Sequence, residues 1–488
     1  MKTTKALFII VFLFGFVLNT KSKPKDEGIV VLNKPGYPYI FELNIGETHV
    51  FKRIDKLNDV QKKIKLISVE PFIEKNYWFK DIGLDYNFYQ FKVKLEVDGN
   101  IVNLFHRPYE MPLTANGLRI YIENIKKFDE SAIYGKCGNL EKDVRISLRL
   151  ENESWGPENL VFPINDYLWH SAVYKNTWSS LVPFNHLYYH RGEDFGAIPG
   201  KLNVVSPCDG LITKSPLPNG DGGSNGICIL NDDGVEWRFA HMDIENINKK
   251  HSEGNFIKAG EIIGKTGMTW NGKKSQTNDP HLHVHLSINN IKLASFPFLM
   301  EMYLKKYPDP VIAVAGGYRF AVVGDTLNLD ASRSIANNSK QIKEYKWKLS
   351  NGKIINKATA KKTYYKPGIY SEELIVTTND ESIDRDFLYV TVYDTLQIQN
   401  LKFPKGWAYY YPLRGIRPES EVLFWNRMTN LAYNVKINYG DDNNWYVIKE
   451  ESKHIYKNPG RYVVTLITND SEDNSYSLKM EVVVENCK

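Results

Sequence analysis

Residues Pro280–His285 read PHLHVH and continue into the apolar run Leu286–Ile288. Side chains two positions apart on an extended strand point to the same face of the sheet. The three histidines therefore leave one side of a predicted strand, while Leu282 and Val284 enter the core. Imidazole is the commonest metal ligand among side chains, and it suits zinc. The stretch predicts a metal-binding strand, with a half-buried strand that exposes a polar face as the alternative.

Two earlier segments carry side chains of the same chemistry. Tyr189–Gly196 reads YHRGEDFG and places Asp194 four residues after His190, and Trp237–Met242 ends an aromatic strand in His241. A hydrolytic zinc site takes three protein ligands, largely from His, Asp or Glu, and keeps a fourth position for water. Each residue alone is typical of a surface or capping position. Together, in this order, they indicate a metal site.

The order of these motifs resembles that of the lysostaphin/LytM-type zinc endopeptidases. The family signature is HxxxD, then a small-residue turn with glycine, an aromatic-x-His motif and HxH. The matching stretches are His190–Asp194, Val205–Gly210, Phe239–His241 and His281–His283, with the glycine-marked lead-in Ile257–Gly267. The resemblance covers about residues 185–295. It implies a catalytic domain built on an antiparallel β-sheet.

The resemblance also implies the cofactor and the roles of five residues. It makes Zn2+ the cofactor, held by His190, Asp194 and His283, with His241 and His281 as catalytic histidines that do not bind the metal. His281 would accept the proton of the attacking water, and His241 would hold the substrate carbonyl or the oxyanion, although the sequence leaves open which of the two is the base. The expected reaction is hydrolysis of peptide bonds, with bacterial peptidoglycan cross-links as the substrate. The alternative is a catalytically silent LytM-fold binding or activating module of the cell envelope, and the presence of all five residues favours the enzyme.

The chain departs from the family pattern around its last motif. The family often has an acidic residue after HxH, where this chain has His285, and we expect His285 to be exposed or to support a ligand from behind rather than to be a ligand itself. The loop Met268–Asp279 is longer than usual, which predicts a different specificity. Trp270 in this loop is either a cleft wall or a packing residue. His186 matches no family position and is interpreted as structural.

The first 22 residues predict export. Lysines at positions 2 and 5 precede the apolar run Ala6–Leu18 and a polar stretch, as in a secretory signal peptide cleaved near Lys23. The apolar run is short for a bilayer span, so an uncleaved anchor is the lesser alternative. We expect a secreted, periplasmic or cell-envelope protein with no membrane span after signal cleavage.

Composition agrees with a multidomain β protein. A chain of 488 residues predicts three or four domains, and 13% aromatic residues, with 30 tyrosines, favour strands. The net charge of +5 gives no footprint for nucleic acid, and oligomeric state is not indicated. The four cysteines form no CxxC pair, and we expect Cys208 and Cys228 to lie on nearby strands and pair, with free buried thiols as the alternative.

The predicted fold class is all-β and multidomain. Residues 23–150 form a β-rich, sandwich-like accessory region, with strands at 28–32, 88–97 and 144–150 and a hairpin turn at Asp98-Gly99. Residues 151–305 form the catalytic domain. Trp155, Trp169 and Trp178 in its approach are interpreted as packing between domains, with a wall of the substrate groove as the alternative.

The C-terminal part contains an internal repeat. The stretch Tyr365–Tyr370 (YKPGIY) recurs as Tyr456–Tyr462 (YKNPGRY), and each copy runs through an apolar strand into Thr-Asn-Asp. Two β-sandwich modules, 309–395 and 396–488, are therefore predicted after the boundary at Tyr307–Pro310. The first resembles the polycystin-type Ig-like (PKD) repeat through Gly324–Ser332, residues 345–347 and 367–370. The second keeps fewer of these residues, and the resemblance implies spacers or adhesion units.

Overall fold

The structure is a computed structural model. It describes residues 27–54, 59–79, 84–131, 140–183, 187–270, 273–274, 279–289, 291–337, 339–394, 406–428, 434–470 and 473–486. The predicted signal peptide, His186, Cys137 and Cys487 lie outside these residues, as does the side chain of Trp270. Within the described part of the chain, no helix combines the length and the apolar character that crossing a bilayer demands.

The accessory region contains two antiparallel sheets, as its alternating sequence predicts. Its elements are β1 (Ile29–Leu32), β2 (Tyr39–Leu43), β3 (Thr48–Ile54), β4 (Asp59–Phe79), β5 (Leu84–Val97), β6 (Asn100–His106), β7 (Leu113–Ala115), β8 (Leu118–Ile125), α1 (Lys126–Ser131) and β9 (Val144–Leu150). The sheets run β1-β2-β9-β8-β7 and β3-β4-β5-β6. Asp98 and Gly99 both have positive φ, 49° and 84°, between the paired residues Val97 and Asn100. This is the two-residue hairpin turn that the sequence predicts.

The central domain is organised around one long strand. Its elements are β10 (Lys175–Asn176), β11 (Leu181–Pro183), β12 (Leu187–Tyr189), β13 (Glu193–Gly196), β14 (Asn203–Val205), β15 (Gly210–Lys214), β16 (Ile227–Leu230), β17 (Val235–Ala240), β18 (Phe256–Ile257), β19 (Ile262–Lys265), β20 (Thr269–Trp270), β21 (Lys273–Lys274), β22 (His281–Ile288), β23 (Ile291–Leu293) and α2 (Phe296–Lys306), with short 3-10 helices at Ile244–Asn246 and Lys249–His251. The main sheet runs β10-β13-β22-β17-β16-β15-β18, and β23 also pairs with β22. The predicted histidine strand is thus an interior strand of the sheet.

Trp155 and Trp178 pack between the accessory region and the central domain, as predicted, whereas Trp169 packs inside the central domain against Phe195 and Tyr303. Trp155 is fully buried, with its ring against Tyr121 of the accessory region and Phe298 of α2. The indole N–H of Trp178 donates to the carbonyl oxygen of Glu123, 3.2 Å away. These contacts join the accessory region to the central domain.

The two C-terminal modules share a turn and a sheet. Their strands are β24 (Val311–Ile312), β25 (Arg319–Val322), β26 (Thr326–Asp330), β27 (Ile335–Ala336), β28 (Ile342–Lys348), β29 (Ile354–Ile355), β30 (Thr359–Thr363), β31 (Gly368–Thr378), β32 (Ile383–Tyr393), β33 (Ala408–Tyr411), β34 (Glu421–Asn426), β35 (Lys436–Asn438), β36 (Tyr446–Val447), β37 (Glu451–Ile455), β38 (Gly460–Asn469) and β39 (Ser475–Val484). The Tyr370 hydroxyl donates to the carbonyl of Lys366, and the Tyr462 hydroxyl donates in the same way to Asn458. These equivalent tyrosine corners confirm the internal repeat. The start of β31 also pairs in parallel with the start of β39, which joins the modules in one sheet.

The predicted pairing of Cys208 and Cys228 is wrong. Both are buried free thiols. Cys228 lies opposite Lys214 in the β15–β16 pair, and Lys214 is six residues beyond Cys208 in the sequence. At about 3.3 Å per strand residue the two lie on the order of 20 Å apart along the hairpin, whereas a disulfide needs Cα atoms within about 7 Å.

Candidate metal centre

The register of the main sheet brings the predicted site residues together. Asp194 on β13 lies directly opposite His283 on β22, and on the other side of β22 Ala240 of β17 is the partner of His283. His241 follows Ala240 at the end of β17. His190 lies in the turn that leads into β13. Three segments far apart in sequence thus converge on one end of β22.

His190, Asp194 and His283 form a triangle of donor atoms. Nε2 of His190 lies 3.1 Å from Nδ1 of His283 and 3.1 Å from Oδ1 of Asp194, and that oxygen lies 2.8 Å from Nδ1 of His283. Within the described residues these three are the group of metal-ligating type whose donor atoms lie mutually close.

The donor set fits zinc. A tetrahedral zinc ion with bonds of about 2.0–2.1 Å separates its ligand atoms by about 3.3 Å, so the triangle needs to widen by only a few tenths of an ångström. Two imidazoles and one carboxylate are the ligand types of a catalytic zinc site, which leaves the fourth position to water or substrate.

Burial and neighbouring charge favour the protonation states that a metal requires in Asp194 and His283. Burial alone would raise the pKa of Asp194, but His190, His281 and the hydrogen bond from His283 outweigh it and hold this pKa well below its usual range. Burial lowers the pKa of His283 to about 4, although Asp194 opposes the shift. A carboxylate and a neutral imidazole are therefore present at neutral pH.

Each ligand is held from behind by a further hydrogen bond. The Nδ1 atom of His190 lies 3.3 Å from the carbonyl oxygen of Thr177. The second carboxylate oxygen of Asp194 accepts from the side-chain amide of Asn176 at 2.8 Å and from the Tyr174 hydroxyl at 3.4 Å. Sequence reasoning missed Tyr174, Asn176 and Thr177, because segment 174–177 carries neither a motif nor an alternating pattern.

His285 supports His283. Its Nδ1 atom lies 3.0 Å from Nε2 of His283, on the side of that ring away from the donor triangle. His285 is only 8% exposed, so the expectation of an exposed residue is wrong and the expectation of a supporting residue is confirmed. Burial, followed by the neighbouring His283, lowers the pKa of His285 well below its usual value. It is a neutral acceptor for the N–H of His283.

His241 and His281 face each other beside the triangle, with ring centroids 4.5 Å apart. Nδ1 of His241 lies 2.9 Å from the carbonyl oxygen of Thr269, and Nδ1 of His281 lies 2.7 Å from that of Asp279. Since a carbonyl only accepts, each Nδ1 carries the proton and Nε2 is the acceptor nitrogen. Nε2 of His281 lies 3.7 Å from the Asp194 oxygen.

Two residues beside the donor triangle, His241 and Gly192, have positive φ angles. His241 has a φ of 64°, a left-handed conformation that is uncommon outside glycine. Burial, followed by the charge of His281, lowers the pKa of His241 to about 3, so its ring is neutral. Gly192 has a φ of 146°, and a Cβ there would lie 2.6 Å from Cε1 of His283. Any residue larger than glycine at position 192 would therefore clash with the ring of His283.

The fold and the donor set define a candidate metal centre of the His-Asp-His type on an antiparallel sheet, with His241 and His281 beside it. Comparison with known families makes the class specific. Residues 188–294 match the model of peptidase family M23, and residues 307–392 match that of the PKD domain. The chain therefore carries an M23 peptidase domain followed by a PKD domain.

Solved structures include similar chains. One is described as a candidate glycyl-glycine endopeptidase lytM from Ruminococcus gnavus: it is 24% identical, with a TM-score of 0.24, and the match covers 30% of this chain and 61% of that one. Another is a zinc containing peptidase from Vibrio cholerae: it is 14% identical, with a TM-score of 0.22, and the match covers 48% of this chain and 85% of that one. This chain thus spans less than two thirds of the first. No curated protein matches the chain.

Proposed function

We propose that this protein is an exported zinc metalloendopeptidase that hydrolyses peptide bonds, with the peptide cross-links of bacterial peptidoglycan as its substrate. The observation that carries the proposal is the donor triangle of His190, Asp194 and His283, with Nε2 of His281 beside it. The M23 match supports a peptidase. The apolar segment near the N-terminus supports export.

The residues of the site have separate roles in the proposed reaction. Zinc held by His190, Asp194 and His283 would supply Lewis acidity, which lowers the pKa of the attacking water towards about 7 and polarises a carbonyl. His281 accepts a proton at Nε2 and returns it to the leaving amine. Its Nδ1–H bond to Asp279 keeps the ring in the tautomer that this step needs.

His241 acts as an acceptor in this proposal. Its only ring proton in the neutral form is committed to the carbonyl oxygen of Thr269, and the low pKa of about 3 keeps a second proton off the ring. A ring in this state has no proton at Nε2 to give to an oxyanion. His241 therefore orients the attacking water or a substrate N–H by accepting its hydrogen bond, and His281 is the base.

The test combines metal content with digestion of purified peptidoglycan, the fragments being identified by mass. We expect one zinc per chain and new amino termini in the cross-links. His281→Ala should keep the zinc and lower the rate about 10²- to 10⁴-fold. The control is His251→Gln, a buried histidine of the same domain that contacts Glu261 instead of the site. Zinc-loaded protein that cuts neither peptidoglycan nor oligoglycine would refute the peptidase and favour a silent binding module.

A further inference from the structure

The segment Tyr174–Asn176 is the edge of the main sheet nearest to the metal centre. It contains β10, where Asn176 lies opposite Asp194 and Lys175 lies opposite Phe195. Tyr174 and Asn176 are two positions apart and share a face, whereas Lys175 points the other way. All three are buried. The two faces of this short segment therefore contact different parts of the molecule.

One face of the segment contacts the metal centre. Tyr174 and Asn176 both donate hydrogen bonds to the carboxylate oxygen of Asp194 that lies outside the donor triangle. The ring of Tyr174 also stacks on that of His281, with centroids 4.6 Å apart and planes inclined by 26°. The segment thus orients one ligand and one catalytic histidine together.

The opposite face contacts the PKD domain. Nζ of Lys175 forms an ion pair with Asp386 of β32, and the side chains are only 10% and 2% exposed. The other oxygen of Asp386 accepts from the backbone N–H of Ala315 at 2.7 Å. Nδ1 of His170 lies 3.4 Å from the paired oxygen. A lysine held this way fixes the strand that carries it, because an uncompensated buried charge is costly.

The second C-terminal module reaches the same segment through Trp407. Its ring meets that of Tyr174 edge to face, with centroids 4.8 Å apart, and it also contacts Tyr318 of the PKD domain at 5.0 Å. Trp407 is only 6% exposed. Tyr174 is therefore held between Trp407 and His281.

We propose that the two C-terminal modules complete the metal centre, with Lys175, Asp386 and Trp407 as positioning residues that act through Tyr174 and Asn176 on Asp194 and His281. This role differs from the spacer or adhesion role that the sequence resemblance implies. It rests on the proposed zinc site but not on the substrate. Groups that hold a ligand from behind change metal affinity without touching the metal. Trp407 and Asp386 contact Tyr174 and Lys175 of the segment that holds Asp194, and not Asp194 itself.

The test measures zinc affinity of the full chain by competition with a chelating dye, at a temperature where every variant is folded by circular dichroism. Trp407→Ala removes the contact with Tyr174, Trp407→Phe keeps an aromatic ring, and Asp386→Asn removes the charge partner of Lys175. The matched control is Trp425→Ala, a tryptophan of the same module with similar burial whose ring contacts Tyr409 and not Tyr174. A coupled residue should weaken zinc binding about 2- to 30-fold.

The proposal predicts weaker zinc binding in Trp407→Ala and Asp386→Asn, near-native binding in Trp407→Phe, and native affinity in Trp425→Ala even where its melting temperature falls. Native affinity in both Trp407→Ala and Asp386→Asn would overturn it, as would an equal loss in Trp425→Ala. If Trp407→Ala does not fold, Asp386→Asn decides, and native zinc affinity in that variant would overturn the proposal. Wild-type protein that binds zinc but cuts no peptide would refute the proposed reaction and leave this test intact.

Discussion

Replacing His285 by alanine tests how far the metal centre depends on the group behind His283. The change removes the acceptor that lies 3.0 Å from Nε2 of His283. A hydrogen bond between neutral groups contributes about 1 kcal/mol net, and a buried donor without a partner costs about 1–3 kcal/mol. The His283 side chain is 16% exposed, so water replaces part of the loss. We expect a cost of about 1–1.5 kcal/mol, which corresponds to roughly 5- to 10-fold weaker zinc binding.

A glutamate at the same position gives the opposite expectation. Hydrogen bonds to a charged acceptor are roughly twice as strong as those between neutral groups. Arg238 is the cross-strand partner of His285 on β17, so a carboxylate there also gains a neighbouring cation. His285→Glu should therefore bind zinc more tightly than the wild type. The zinc affinity should be highest with glutamate at position 285, intermediate with the native histidine and lowest with alanine.

The assay is competition with a zinc-chelating dye at pH 7.5, with Ser287→Ala as the control. Ser287 lies on the same face of β22 as His285, two residues further along the strand and away from His283. Equal affinity of His285→Ala and the wild type would show that His283 needs no partner. A glutamate variant weaker than the alanine variant would refute the electrostatic reasoning.

Three further predictions concern the ligands and acid stability. Asp194→Asn should weaken zinc binding by more than the roughly 10- to 100-fold typical of an outer partner, as measured by the same competition. Gly192→Ala should also lower zinc affinity, since its Cβ would displace His283, whereas Gly222→Ala, also at positive φ but with open space around it, should not; equal losses would contradict this. Burial, followed by the charge of Arg191, lowers the pKa of His106 to about 3 in the fold, so the unfolded chain, with a pKa near 6.5, binds the extra proton first. Stability should therefore fall by about 2 kcal/mol between pH 7.5 and pH 5 through this group, and urea unfolding of His106→Gln should show a correspondingly smaller loss.

The sequence predicts the ligand-bearing strand because its pattern is local. Alternation puts His281, His283 and His285 on one face of β22, and Leu282 and Val284 are fully buried on the other. The same alternation correctly predicts the buried face of β5, which consists of Phe91, Val93, Leu95 and Val97. The two-residue turn at Asp98 and the tyrosine corners are likewise short-range signals, in which the residues that interact lie within a few positions of each other.

The groups behind the ligands are less accessible to such reasoning. His285 lies on the same strand as His283, so its support could be predicted as one of two alternatives. Asn176 lies on a strand of only two residues, which is too short for any periodicity. Its role depends on the register that places it opposite Asp194, and register depends on the tertiary structure.

The failed disulfide prediction has the same cause. Cys208 lies two residues before β15 and Cys228 lies on β16, the hairpin partner of β15. The sequence does not reveal how the two strands are aligned. The register places Leu211 opposite Leu230 and Lys214 opposite Cys228, which moves the two thiols to opposite ends. Two strands can therefore be neighbours although particular side chains on or near them lie far apart.

The longest-range contacts extend this argument to the architecture of the whole chain. Lys175 and Asp386 are separated by 211 positions, and no pattern in either segment marks them as partners. Neither charge is stable in the interior alone, so each is tolerated only because the central domain and the PKD domain close on one another. The carboxylate of Asp194 then receives its outer hydrogen bonds from a segment whose position depends on that closure. If this dependence holds, cutting the chain after the predicted catalytic domain would expose Lys175 and Tyr174 together and weaken the metal centre, although every ligand would remain.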